Sequence, residues 1–275
     1  MKKLLLVDQN GSMTPFHRFT QELVEATSGQ AEAFYFQNSP ATTVYRDRYL
    51  TQSAALAEAF ELVDQDAEVL IVSDAGAARG YRSLHRVRGT ASFLLQAKRH
   101  TSQLSWLNPM PESRWEGSSA EIIAHMVTMF HQWSDFQRLG YEAPQEECPA
   151  CELPDFGPSR DGCGERTEIN HVLRRFNHEG YRDLLFHAAF PSMLTAESMH
   201  FLRLHFCADS PPEAVADLLL SSLFSQASYE DYVMDSHVRA YLLTLAKASS
   251  CWCRRRAAVV QALQPLVERY AGAAG

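Results

Sequence analysis

The sequence predicts an α/β fold, a parallel-sheet domain with helices on both faces, followed by a small all-helical domain. Leu4-Leu5-Leu6-Val7 and Val69-Leu70-Ile71-Val72 are short apolar runs that end at Asp8 and at Ser73-Asp74. Runs of this kind read as strands buried on both faces of a parallel sheet. Between and after them, strand-like and helix-like segments alternate, the pattern of βαβ units. From Thr167 onward the strand signal is lost and only helical spacing is left.

Taken in order, the first strand is followed by a helix over Phe16 to Thr27, with Phe16, Phe19, Leu23 and Val24 at helical spacing. Ala31 to Phe36 reads as a strand leading into the turn signal Gln37-Asn38-Ser39-Pro40. A helix is expected over Gln52 to Val63, then the Val69 strand, then a helix over Leu84 to Lys98. A strand over Gln103 to Leu107 is stopped by Asn108-Pro109. Ser118 or Ser119 caps an expected helix Ala120 to His131, with Glu121 in its first turn.

The loop leaving the first strand carries Asp8, Asn10 and Ser12, three oxygen donors at every second position. In open α/β sheets ligands bind beyond the carboxyl ends of the strands. A carboxylate, an amide oxygen and a hydroxyl suit Mg²⁺, Mn²⁺ or Ca²⁺ rather than zinc. An Asp after a strand also commonly satisfies loop and helix-start amides. The second acid-terminated strand, ending at Asp74, tips the reading towards a metal site.

These residues resemble the metal-ion-dependent adhesion site of von Willebrand factor A (VWA) domains, whose pattern is Asp-x-Ser-x-Ser, then a distant Thr and a distant Asp. The middle Ser is Asn10 here, which keeps an oxygen ligand. The resemblance implies that Asp74, in Ser73-Asp74-Ala75-Gly76, is the distant Asp, and that Thr51 is the Thr, with Thr42 and Thr43 as competitors. Phe34-Tyr35-Phe36-Gln37-Asn38, Tyr45-Arg46-Asp47, Val69 to Gly80 and Trp106-Leu107-Asn108-Pro109-Met110-Pro111 narrow the resemblance to a bacterial CoxE-like group associated with MoxR-type AAA+ ATPases. That group carries sequence upstream of its first strand, which the resemblance implies is missing here or supplied elsewhere.

Residues 141–166 are rich in Pro, Gly and acids without an apolar period, and read as a linker or long surface loop between domains at 1–140 and 167–275. Cys148, Cys151 and Cys163, with His171, raise zinc as an alternative; a lone Cys-x-x-Cys without a second pair favours reduced thiols. Helices are expected over Glu168 to Phe176, Tyr181 to Phe190, Thr195 to Cys207, Ala214 to Phe224, Ser236 to Ala248 (capped by Asp235) and Arg254 to Tyr270. Val215, Leu218, Leu219 and Leu223 read as core, and His200 and His205 as satisfied or partly exposed side chains rather than ligands. The run Arg254-Arg255-Arg256 reads as a solvated face. Ala214 to Leu223 and Tyr229 to Arg239 resemble a helical module of bacterial multi-component signalling or conflict systems that pair a VWA protein, a MoxR-type ATPase and a third protein.

A chain of 275 residues, 46% hydrophobic, can bury one or two cores. No apolar run approaches the roughly 20 residues that span a bilayer, and the start reads as no signal peptide. Six unevenly spaced cysteines fit reduced thiols in a cytoplasm. The net charge of −8 argues against nucleic-acid binding, which is driven by phosphate neutralisation. The function expected is a non-catalytic, divalent-metal-dependent adaptor for protein partners, a MoxR-type ATPase or a third system component, away from membranes. The alternative is a Mg²⁺-dependent phosphatase-like enzyme using the Asp8 loop, which resembles the Asp-x-Asp-Gly-Thr loop of haloacid-dehalogenase-type phosphatases. Asn10 stands where that chemistry needs a second, proton-donating Asp.

Overall fold

The computed structural model describes residues 3–9, 11–63, 67–132, 164–176, 178–247 and 255–264. Asn10, most of the expected linker with Cys148, Cys151 and Cys163, Arg254 and the far end of the last expected helix lie outside the described residues. The chain divides into two compact units, Met1–Ser134 and Asp135–Gly275.

The first unit is built on a sheet of seven strands in the order β4-β3-β2-β1-β5-β6-β7. These are β1 (Lys3–Asp8), β2 (Ala31–Phe36), β3 (Thr43–Tyr45), β4 (Ser53–Ala55), β5 (Val69–Val72), β6 (Leu104–Asn108) and β7 (Thr128–His131). β1, β2, β5, β6 and β7 run parallel. β3 pairs antiparallel with β2, and β4 antiparallel with β3. Helices α1 (His17–Ala26), α2 (Leu56–Glu61), α3 (Leu84–Ala97) and α4 (Ser119–Ala124) fill the connections.

The central strands are apolar on both faces because both faces are covered. In register across the sheet, Leu6, Ile71 and Trp106 point one way and are fully buried. Leu5, Val7, Val72 and Leu107 pack on the other face with Phe19 of α1. Each such Leu, Val or Ile contributes about 1.5–3 kcal/mol by leaving water. The strand order reverses at β1, whose neighbours are β2 on one side and β5 on the other. That reversal opens a crevice beyond the carboxyl ends of β1 and β5.

Two expected helices of this unit are corrected. The stretch Gln52 to Val63 begins as strand β4, which forms a hairpin with β3 before α2 starts at Leu56. The Asp47 carboxylate closes that hairpin by accepting the amides of Tyr49, Thr51 and Gln52. The stretch Ala120 to His131 is a short helix, α4, followed by β7 along the edge of β6. Three- and four-residue strands carry too little alternation to outweigh local helical spacing, and cross-strand pairing decides their state. The Ser118 cap stands, its hydroxyl accepting the Ala120 amide.

The second unit is mostly helical: α5 (Gly164–Arg174), α6 (Glu179–Ala188), α7 (Ala196–Phe206), α8 (Ala214–Leu219), α9 (Ser236–Lys247) and helical turns over 255–264. The expectation of an all-helical domain is corrected by a small antiparallel sheet, β8 (Leu194–Thr195), β10 (Asp231–Met234) and β9 (Phe224–Gln226) in that order. Ala214 to Phe224 is therefore helical only to Leu219, and Phe224 starts a strand. Val215, Leu218, Leu219 and Leu223 lie in the core with Leu184, Leu202 and Leu242. His200 is buried, and His205 packs its ring 4.3 Å from that of Phe201. The solvated arginine face is corrected at Arg255, which is half-buried and donates to His187 Nε2 at 2.9 Å and to the Phe206 carbonyl at 2.8 Å. No helix among the described residues is long and apolar enough to cross a membrane.

Candidate metal centre

The crevice between β1 and β5 collects side chains from several separate stretches of the chain. Asp8 is the last residue of β1 and fully buried. Its Oδ2 accepts the Ser73 hydroxyl at 2.7 Å, and its Oδ1 accepts the Asn38 amide at 3.0 Å. Ser73 leaves β5, and its hydroxyl oxygen also accepts the Ala75 amide at 3.1 Å. Ser12 lies in the 3-10 helix Gly11–Phe16 and donates its hydroxyl to Asp74 Oδ1 at 3.2 Å.

Asp74 is held just as firmly. Ala75 and Gly76 follow it with φ of 51° and 89°, two consecutive left-handed residues that turn the chain back sharply. The turn brings the Ala78 amide to Asp74 Oδ2 at 3.1 Å. A left-handed Ala costs about 1–2 kcal/mol, and here the hydrogen bonds of Ser73 and Asp74 hold it. Asn108, at the end of β6, donates Nδ2 to the Asp74 carbonyl at 3.1 Å and accepts the Met110 amide at 2.9 Å. Trp106 donates its indole N–H to the Ser73 carbonyl at 2.9 Å. The two-residue element after β5 is thus fixed from β6 as well as from β1.

A fourth group, which sequence reasoning missed, completes the cluster. Arg86 sits in the first turn of α3, whose cap Ser83 accepts the Arg86 amide at 3.3 Å. Its Nη1 lies 3.6 Å from Asp8 Oδ2 and 3.5 Å from Asp74 Oδ1. Its Nη2 donates to Asn38 Oδ1 at 2.9 Å. Arg86 is 8% exposed, and Nη1 is buried with no hydrogen-bond partner. The signal for it was in the sequence: Arg86, Thr90, Phe93 and Ala97 share one helical face, and all four are buried. A charge in an apolar stripe calls for a buried partner.

Of the residues singled out from the sequence, Asp8, Ser12 and Asp74 come together, and Asn10 lies outside the described residues. Thr51 is not brought to them. It is exposed in the β3–β4 hairpin, its amide on the Asp47 carboxylate. β3 starts level with the carboxyl end of β2 and runs back antiparallel to it, so its hairpin turns away from Asp8. Thr43 begins β3, at the Asp8 end of the sheet, next to Thr42.

Two carboxylates and a hydroxyl, all fully buried, form an oxygen-only donor set of the kind a hard divalent cation takes. No group of three or more His, Cys, Asp or Glu able to hold a metal occurs among the described residues. With Arg86 between them, the two acids sum to a formal charge of −1. The donors therefore fit a cation in type and in convergence, and a guanidinium shares their space. Comparison with protein-family models, with curated proteins and with solved structures gives no match for this chain.

Proposed function

We propose that the first unit is a VWA-like protein-binding module, and that the chain works without catalysis as a divalent-cation-dependent adaptor. Its setting is a cytoplasmic bacterial assembly built around a MoxR-type AAA+ ATPase. The observation that carries this reading is the meeting of Ser12 and Asp74, 62 residues apart, with Asp8 at the reversal of strand order. The ATPase partner, or a third component of such a system, follows from the sequence resemblance. Asp8, Ser12 and Asp74 are the residues that would hold the cation, Mg²⁺ first and Mn²⁺ or Ca²⁺ after it. Bound there, the cation supplies a compact positive charge with a coordination position for an acidic group of the partner.

The chain's own residues support binding over turnover. Both oxygens of Asp8 accept hydrogen bonds from Ser73 and Asn38, and the carboxylate is fully buried. That arrangement holds Asp8 still rather than presenting it to a phosphoryl group. Ser73 and Asn38 set the orientation of Asp8, and Ala78 and Ser12 that of Asp74.

The test uses the full chain and its Asp8→Asn variant, which keeps the size of the side chain and halves the acidic pair. Melting is followed against Mg²⁺, Mn²⁺ and Ca²⁺, because a ligand of the native state raises the melting temperature with concentration. Pull-down of a purified MoxR-type ATPase in the stabilising ion follows. Stabilisation and capture that vanish together in Asp8→Asn support the adaptor; capture that persists in the variant, or that ignores added chelator, refutes the cation-dependent mechanism.

A further inference from the structure

A lasting partnership between an arginine and a buried carboxylate usually shows short, often paired N–H···O contacts of about 2.7–2.9 Å. Arg86 does not make them. Its Nη1 lies midway between two acids at 3.6 and 3.5 Å and bonds to neither. The oxygens it faces already accept other donors, Asp8 Oδ2 from Ser73 and Asp74 Oδ1 from Ser12. The guanidinium is held between the acids by charge, while among the described residues its short bond in this crevice goes to Asn38.

The geometry points to Arg86 as a resident stand-in for the divalent cation: its guanidinium fills the space between Asp8 and Asp74, and withdraws when the ion enters. This rests on the cation-binding reading above. Charge favours exchange over co-occupancy. The acids with Arg86 sum to −1, with a divalent ion alone to zero, and with both to +1. Two cations facing the same carboxylate oxygens also repel at short range in a site from which water is excluded. An exit lies close by, because Arg86 is in the first turn of α3 beside exposed Leu84 and His85.

Withdrawal would also be felt at the crevice rim. Asn38 is tied twice, by its amide to Asp8 Oδ1 and by its side chain to Arg86. It stands in the left-handed region, φ 64°, within the turn Gln37-Asn38-Ser39-Pro40. That turn lies close under α3: a Cβ added to Gly89 would come within 2.7 Å of Ser39 Oγ. When Arg86 leaves, the turn loses its side-chain anchor to α3 and keeps its backbone bond to Asp8. The turn is then the element through which ion occupancy is displayed to a partner, an exchange of two discrete arrangements.

The experiment is calorimetric titration of the full chain with MgCl₂ and MnCl₂ alone, comparing wild type with Arg86→Met and Asn38→Gly. Asn38→Gly retains the charge of Arg86 and the positive φ while removing the side-chain anchor, so it decides the matter if Arg86→Met fails to fold. Both variants are expected to bind the ions about tenfold tighter or more, within the usual range of coupling between two binding events. Hydrogen exchange of the residue 37–40 amides is expected to rise on ion binding in wild type and to be insensitive to the ion in Arg86→Met. Wild type that binds with unchanged or weaker affinity in both variants overturns the stand-in role and leaves the cation reading intact. Folded wild type and Asn38→Gly that both take up no ion overturn both.

Discussion

The Arg86 guanidinium lies 3.5 Å from Asp74 Oδ1, and both side chains are more than nine-tenths buried. One is carried by the first turn of α3 and the other by the sharp turn after β5. Their meeting binds the sheet's central crevice to a helix that sequence periodicity assigns only to packing.

Removing one partner of a buried ion pair strands the other, at a cost of about 3–5 kcal/mol. Arg86→Ala leaves two buried acids facing each other across the crevice and is expected to lose that much stability in urea denaturation. Adding Asp74→Asn removes one of the stranded charges, so the double variant should recover part of the loss. A double-mutant cycle isolates the coupling. A cost under about 1 kcal/mol for Arg86→Ala would show that water reaches the pair and screens it.

Asn108 is fully buried and acts as both donor and acceptor, its Nδ2 donating to the Asp74 carbonyl and its Oδ1 accepting the Met110 amide. Asn108→Ala takes the Met110 amide's partner and one of the two donors to the Asp74 carbonyl, which keeps the Ala77 amide at 2.8 Å, and should cost about 1–3 kcal/mol. Asn108→Asp should cost more, since a carboxylate offers no donor to the Asp74 carbonyl and brings a third acid towards Asp8 and Asp74. Denaturation midpoints rank the two variants; an Asp variant at least as stable as the Ala variant would contradict this account of the site.

In the second unit, the Tyr181 hydroxyl donates to Asp217 Oδ2 at 2.6 Å, joining α6 to α8. Asp217 is 3% exposed, in the first turn of a helix whose other described residues are apolar. Tyr181→Phe keeps the ring stacked on Phe176 and removes only the donor. The expected cost is about 1.5–3 kcal/mol, the range for hydrogen bonds to charged groups. Loss of less than about 0.5 kcal/mol in thermal or chemical unfolding would mean that Asp217 is satisfied without Tyr181.

What could be read from the chain beforehand followed from how much each element depends on its neighbours. β1 and β5 announce themselves because strands buried on both faces must be continuously apolar, and α3 because its stripe is long enough to show a period. The acids Asp8 and Asp74 were visible for the same reason, each being the first acid after such a run. β3, β4, β7 and the small sheet of the second unit were not visible, since two to four residues gain their conformation from pairing rather than from local preference. Thr51 was misplaced by the same error: with Gln52 to Val63 taken as one helix, Thr51 falls at its start, whereas β4 sends it to the hairpin. Arg86 was overlooked because attention to oxygen donors leaves out the cation that the protein itself supplies.

His187 gives the second unit a defined acid limit. It is 1% exposed, and its Nε2 faces Arg255 Nε at 2.9 Å. A guanidinium only donates, so Nε2 accepts and the proton resides on Nδ1, which donates to the Asp183 carbonyl at 2.6 Å with Cys207 Sγ at 3.2 Å. Burial pushes the imidazole pKa down from 6.5 to about 4, with the Asp183 carbonyl opposing that shift and Arg255 adding to it. Between those two values the unfolded chain binds a proton that the folded chain refuses, so stability rises with pH across that window. It is fully present above about pH 6.5 and is lost as pH falls towards 4, by about 3 kcal/mol in total at 1.36 kcal/mol per unit. Burial also raises the Asp183 carboxyl above the usual carboxylate range, so the comparison must be made against a variant. His187→Phe keeps an aromatic ring between Phe190 and Phe206 and removes the titration. Unfolding free energies at pH 7 and pH 4 should fall by about 3 kcal/mol more in wild type than in the variant. Parallel pH profiles would mean that the imidazole charges inside the folded unit, with Arg255 moving aside to let it.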